Sequence, residues 1–207
     1  MAFKINEFKN ALPYGGARAN MFEVRIPEPQ ALEIVGHGDK TTTAMRLNTK
    51  ATTIPPSTIE PVEVPFYGRT FRLPGGRTFD DWETTITNDE SFIVRDWMEQ
   101  WSDQINSHST NLSTNLASRS GTYQYTVDAE VVQFGKNGAP IRRYIMIDAW
   151  PHTIGEITLD WSENGTIEEF PVTWAFSWWE SVALEATSKQ NLLTTEMKPI
   201  DGSTFRR

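Results

Sequence analysis

Cysteine is absent from all 207 residues, which excludes disulfides and thiol chemistry and removes the commonest ligand of structural zinc. Histidine is scarce: His37, His108 and His152 are the only three. The first two lie in polar stretches, and no His-x-x-x-His or His–carboxylate spacing links them, so no metal site is expected. No apolar run reaches the about 18 residues that a membrane-spanning helix needs. The start, Met1-Ala2-Phe3-Lys4-Ile5-Asn6-Glu7-Phe8, has no signal-peptide core. Basic residues are in deficit, 19 against 27 acidic, for a net charge of −8. That speaks against wrapping nucleic acid, which needs Lys and Arg to displace counterions, but it suits standing near DNA without holding it.

What is present reads mostly as β structure. The length suits one domain with extensions, burying roughly 70% of the unfolded surface. A first strand is expected over 20–26, stopped by Pro27 and Pro29, and a loop over 30–43, where Gly36, Gly38 and three successive threonines stand. Met45, Leu47, Thr49 and Ala51 alternate with polar neighbours, the period of a strand, ended by Pro55-Pro56. Val62, Val64 and Phe66 alternate with Glu63 and Pro65, Gly68 allows a turn, and 69–73 return as the second arm of a hairpin. Pro61 and Pro65 lack the N–H that a central strand donates, so this hairpin should be an edge or a projecting arm. Gly75-Gly76 reads as a turn between strands.

Residues 77–90 compress three signals. A strand entrance leads into Trp82, Thr84 and Ile86 alternating with Glu83, Thr85 and Thr87, and a helix start follows. Asn88 or Asp89 is expected to cap that helix, with Asp89 and Glu90 at the positive end of its dipole. The helix, about 89–105, carries an apolar stripe of Val94, Trp97, Met98, Trp101 and Ile105, with Arg95, Glu99, Gln100 and Asp103 facing away. The Ser-, Asn- and Thr-rich stretch 106–121 reads as a flexible surface loop. Strands over 122–134 and 141–150, joined by Gly135-Lys136-Asn137-Gly138, come next. Phe170, Val172, Trp174, Phe176 and Trp178 then share one face of a last strand. Six or seven strands plus one helix predict a mainly β chain: a single barrel or sandwich domain, one packed helix and a projecting hairpin. Beyond Glu180, residues 183–193 fit a short helix that Asp201-Gly202 ends.

Candidate chemistry is thin. Asp80 and Asp81 are adjacent, but neighbours on a strand point to opposite faces, which speaks against an acid/base pair. Asn111-Leu112-Ser113 and Asn164-Gly165-Thr166 match the glycosylation triplet, a frequent accident in such loops. No nucleophile with a base stands out, so catalytic, cofactor and metal residues are all expected to be absent. Eight tryptophans raise a binding alternative, a carbohydrate-binding β-sandwich with an aromatic shelf. Core packing accounts for Trp82, Trp97, Trp101, Trp174 and Trp178, leaving Trp150, Trp161 and Trp179 for such a shelf.

The stretch Arg77-Thr-Phe-Asp-Asp-Trp-Glu-Thr-Thr-Ile-Thr-Asn-Asp-Glu90 does not stand alone. Asn20-Met21-Phe22-Glu23-Val24, Lys50-Ala51-Thr52-Thr53-Ile54-Pro55, Val62-Glu63-Val64-Pro65-Phe66 and 69–71 precede it. Trp150-Pro151-His152, Gly155-Glu156-Ile157-Thr158-Leu159-Asp160-Trp161 and 170–180 follow. In this order, over about residues 20–180, they resemble the tail tube proteins of contractile-tailed, T4-like bacteriophages. The resemblance implies a barrel-with-helix domain at 20–180, an N-terminal arm at 1–19 and a C-terminal extension at 181–207. The segments 106–121 and 181–207 depart from the family pattern and inherit no role, although the extension could order on assembly.

By the same resemblance the chain forms hexameric rings that stack into the inner tail tube, a conduit for DNA ejection inside a contractile sheath. Its implied partners are copies of itself, the sheath protein, baseplate and tail-terminator proteins, and viral DNA passing through the lumen without specific binding. The setting is the virion, with assembly in the bacterial cytoplasm. Tubes of bacteriocins, extracellular injection particles and type VI secretion share the fold and are the near alternatives. Strand addition between subunits would satisfy the edges of a projecting arm. Val64, Phe66, Tyr67, Arg69 and Phe71 are therefore the candidate intersubunit contacts, against the alternative that the arm folds back on its own core. An acidic or neutral lumen would keep DNA mobile, and the hairpin 122–134/141–150 is the candidate lining.

Overall fold

The computed structural model describes residues 5–12, 15–29, 32, 34, 39–113 and 125–183. The expected helix at 183–193, apart from Ala183, and the second half of the loop 106–121 lie outside them. Among the described residues, chain order is α1 (Ile5–Ala11), β1 (Phe22–Arg25), α2 (Asp39–Asn48), β2 (Thr49–Thr52), β3 (Ser57–Phe66), β4 (Arg69–Phe79), β5 (Trp82–Thr87), α3 (Ile93–Ile105), β6 (Val127–Phe134), β7 (Pro140–Ile154), β8 (Glu169–Ala175) and β9 (Trp178–Ala183). The fold is mainly β, as its alternating patterns predict. One seven-stranded antiparallel sheet has the order β1-β6-β7-β8-β5-β2, with β9 also pairing to β7, while β3 and β4 form a separate two-stranded sheet. The seven-stranded ladder starts at β1 and ends at β2, both only four residues long; short edges limit unwanted pairing.

The core is built on tryptophan. Trp82, Trp97, Trp101 and Trp174 are fully buried. Their rings touch in the order Trp97–Trp101–Trp174–Trp82, with centroids 5.2, 5.7 and 5.6 Å apart. Buried indoles need partners for their N–H groups, and three have them. Trp101 donates to the Tyr125 carbonyl at 2.9 Å, Trp174 to Thr84 Oγ1 at 2.9 Å and Trp82 to Thr52 Oγ1 at 2.8 Å. On α3, Val94, Trp97, Met98 and Trp101 are buried and Ile105 is half-buried. Arg95 secures the helix to the sheet: it donates to the Gly155 carbonyl at 2.7 Å and lies 5.1 Å over the Phe170 ring.

Four local expectations fail for identifiable reasons. Residues 39–48 are a helix where a loop and the start of a strand are expected. Thr41 and Met45 are buried while Leu47 is exposed, so the four-residue spacing governs this segment and the alternation of Met45 with Leu47 does not. The helix α3 starts at Ile93 instead of 89 and has no side-chain cap. The Asn88 Nδ2 donates to Glu168 Oε2 at 3.0 Å while its Oδ1 has no partner among the described residues, and Asp89–Phe92 closes a turn before the helix, with Phe92 left-handed at φ 54°. Gly75-Gly76 lies inside β4, opposite Glu60 at a bulge, and a Cβ on Gly75 would stand 2.6 Å from the Glu60 carbonyl oxygen. The last strand is interrupted at Phe176-Ser177, across from Asp148 at φ 56°. The break shifts the alternation by one: Trp179 turns onto the core, while Trp178 faces outward opposite Ile147.

Candidate assembly interface on the projecting hairpin

β3 and β4 pair from Ser57↔Phe79 out to Phe66↔Arg69. At about 3.3 Å per residue, a ten-residue arm reaches ~30 Å. The tip is the two-residue turn Tyr67-Gly68, with φ of 46° and 76°; positive φ at both positions matches the twist of a tight hairpin. The base is fixed to the body by Phe79, whose ring lies 6.1 Å from Phe176 and 6.3 Å from Trp179. Arg77 adds a hydrogen bond of 2.8 Å across the base to Ser57.

The register divides the arm into two unlike faces. Directly paired residues share a face, so Val62/Leu73, Val64/Phe71 and Phe66/Arg69 line one side. Glu63/Arg72 and Pro65/Thr70 line the other, where Arg72 Nε and Glu63 Oε1 form a 3.1 Å ion pair. The apolar side is not folded back on the subunit: Phe66 is 64% exposed and Tyr67 91%, and Val62, Phe71 and Leu73 are also exposed. Of the five candidate contacts only Val64 is half-buried; Arg69 is exposed at the tip. Val62 and Leu73 belong to the same face and extend the candidate set. Alternation carries the signal for Val62, whereas Leu73 needs the strand register.

A second exposed apolar group stands elsewhere, on the loop between β7 and β8. Leu159, Trp161 and Ile167 are exposed there, Trp161 completely so at 107%. That loop is acidic, with Glu156, Asp160, Glu163 and Glu168 and no Lys or Arg over 155–168. The backbone N–H of Ser162, then its hydroxyl, holds the Asp160 carboxyl below its usual range.

The remaining candidate groups do not assemble into a reactive centre. His152 Nδ1 lies 3.9 Å from Asp81, a pairing that no sequence spacing announces, and Thr153 Oγ1 lies 3.3 Å from the same nitrogen. A nucleophile–base–acid relay needs both ring nitrogens, and here hydroxyl and carboxylate share one. His108 pairs with Asp103 at 3.3 Å on an exposed loop. Asp128 accepts the Asp148 N–H at 3.2 Å. Burial raises the Asp128 pKa most, that hydrogen bond lowers it, and the Asp148 charge raises it further. Of the three tryptophans left for a sugar shelf, Trp150 and Trp179 are half-buried against the core, and Trp161 alone is free.

The family model described as phage tail tube protein matches residues 17–182. The tail tube protein gp19 of Enterobacteria phage T4 is 31% identical over 165 residues, 79% of this chain and 91% of that protein. Among solved structures, the tube-terminating cap of the anti-feeding prophage superposes with a TM-score of 0.55 at 10% identity, covering 81% of this chain and 91% of the other. The sheath–tube complex of an extracellular contractile injection system gives 0.51 at 14% identity, covering 88% and 100%; both likenesses concern the fold. The match spans β1 to β9 and includes the whole hairpin, and with it the chain belongs to the phage tail tube protein family.

Proposed function

We propose that this protein is the tube subunit of a contractile phage tail, forming hexameric rings that stack coaxially into the inner tube through which DNA leaves the particle. The observation that carries this reading is the two-faced hairpin, a ~30 Å arm whose apolar side is exposed in the single subunit. Isolated two-stranded ribbons are marginal in water, so such an arm is worth keeping only where a neighbour covers it. Contacts of this head-to-tail kind close into a ring when the rotation per subunit divides the circle. In this account Val64, Phe66, Tyr67, Arg69 and Phe71 meet a neighbouring copy. The body at 20–180 is the tube domain, and the segments 1–19 and 181–207 are an arm and an extension around it.

The tube acts by shape and charge, without catalysis. With a net charge of −8, subunits carry no surplus of cations to bind a polyanion, and a neutral or acidic bore lets DNA slide. The sheath, a baseplate that nucleates growth and a terminator that caps it complete the machine, which assembles in the bacterial cytoplasm and is carried in the virion. The greater identity to phage tube proteins favours a phage tail over an injection system of the same fold. Negative-stain electron microscopy of the purified protein, with a nucleating baseplate supplied if required, should show rings or hollow rods of uniform bore. Monomers alone under those conditions would contradict the proposal.

A further inference from the structure

The base of the hairpin and the exposed loop 155–168 sit at opposite ends of the same strand, β5. The hairpin enters the body beside the start of β5, where the Trp82 indole bonds Thr52 at the end of β2 and only Asp80 and Asp81 separate the end of β4 from β5. The loop is tied to the other end of β5: Thr87 pairs with Glu169, and the Asn88 N–H donates to the Glu168 carbonyl at 2.8 Å. A six-residue strand separates the arm's base from the end of the loop by roughly 20 Å. The hairpin tip and the loop are therefore separate exposed apolar surfaces, and none of the described residues covers either.

The two surfaces also match in chemistry. Between 64 and 71 the only charged residue is Arg69, beside Phe66, Tyr67 and Phe71. Around Leu159, Trp161 and Ile167 the charges are all acidic, and Asp160 is held ionised by Ser162. An aromatic tip with one cation and an apolar loop ringed by carboxylates are complementary in charge as well as in hydrophobicity.

We propose that the loop 155–168, with Trp161 at its centre, is the receptor for the hairpin tip of a neighbouring copy of this chain. This rests on the self-assembly proposed above and specifies which surface the tip meets. A tip-to-loop contact joins two different surfaces and is head-to-tail, so repeating it links successive copies, in a closed ring or an open stack, instead of closing a pair. It also explains why a fully exposed tryptophan stands on a surface loop.

Because the chain has no cysteine, the contact can be trapped directly. The double variant Tyr67→Cys/Trp161→Cys, assembled and treated with a short flexible bismaleimide, should give a covalent ladder running beyond the dimer. Either single variant should give none, having one thiol per copy. Rods that form normally but yield no ladder overturn the receptor assignment and leave the tube reading intact. Wild-type protein that forms neither rings nor rods overturns the reading on which the assignment rests. If the cysteine at Tyr67 itself blocks assembly, Leu159→Ser/Trp161→Ser decides. Both positions are exposed, so the subunit should stay folded while the concentration needed for assembly rises roughly tenfold or more. Unchanged assembly of that variant overturns the assignment.

Discussion

Replacing Phe66 and Phe71 together by serine is expected to leave a folded subunit that no longer polymerises. Both rings stand on the apolar side of the β3–β4 arm and contribute nothing to the tryptophan core, so the fold should tolerate their loss. In the assembly each would be buried against a neighbour, at about 1.5–3 kcal/mol per side chain. Losing two weakens every contact by about 3–6 kcal/mol, on the order of 10²- to 10⁴-fold. In the proposed tube each subunit makes one such contact, so the deficit would recur along its length. Circular dichroism should report an unchanged fold, and sedimentation should report monomer where the wild type pellets. Normal tubes from the double variant would remove the hairpin from the interface.

Trp174→Ala is expected to act on the subunit itself and to cost about 3–5 kcal/mol of stability. The Trp174 ring lies between Trp82 and Trp101, so its removal opens a cavity that neighbours on two different elements, β5 and α3, cannot both close. It also takes away the indole N–H that meets Thr84 Oγ1 at 2.9 Å, in a site where Thr84 is itself buried. Against a total stability of about 5–15 kcal/mol, such a loss brings the subunit close to unfolding. Trp161→Ala, at a fully exposed position, should change stability by no more than about 0.5 kcal/mol. Urea unfolding of the dissociated subunits compares the two; a Trp174→Ala loss as small as that of Trp161→Ala would mean the core does not depend on the stacked indoles.

The contrast between those two tryptophans marks what local pattern can convey. The stripe on α3 and the alternation in β5 depend on periodicities that a sequence displays directly, and Pro61 with Pro65 marks β3 as a strand that sits outside a larger sheet. Elsewhere a distant partner decides. Asn88 offers a cap in sequence terms, yet its Nδ2 is tied to Glu168 beside β8, an Asp89–Phe92 turn intervenes, and the helix begins four residues later than expected. In α2 the threonines argue locally against a helix. Burial of Thr41 and Met45 beneath the helix prevails, and the packing surface that drives it comes from β1, β5 and α3.

The candidate interface divides in the same way. Val64, Phe66 and Phe71 are legible as apolar residues on an arm with no core to join. Leu73 joins their face only through its pairing with Val62, and Trp161 faces solvent on the loop that leaves β7 where the Gly155 N–H meets the Pro171 carbonyl. The approach of His152 to Asp81 is equally non-local, since it needs β7 and the start of β5 to lie at the same end of the sheet. Trp178 shows the cost of counting through a break: the alternation is regular up to Phe176, and the left-handed Asp148 opposite Ser177 resets it.

Hydrogen exchange along residues 57–79, compared between dissociated subunits and assembled protein, tests most directly the claim that the arm is completed by another copy. Each strand of the hairpin has one edge with no partner inside the subunit, and its amides should exchange quickly there. On assembly they should become protected, while β5 and β8, paired on both sides in the subunit, should be protected in both states. Hairpin amides that exchange at the same rate in subunit and polymer would contradict the account.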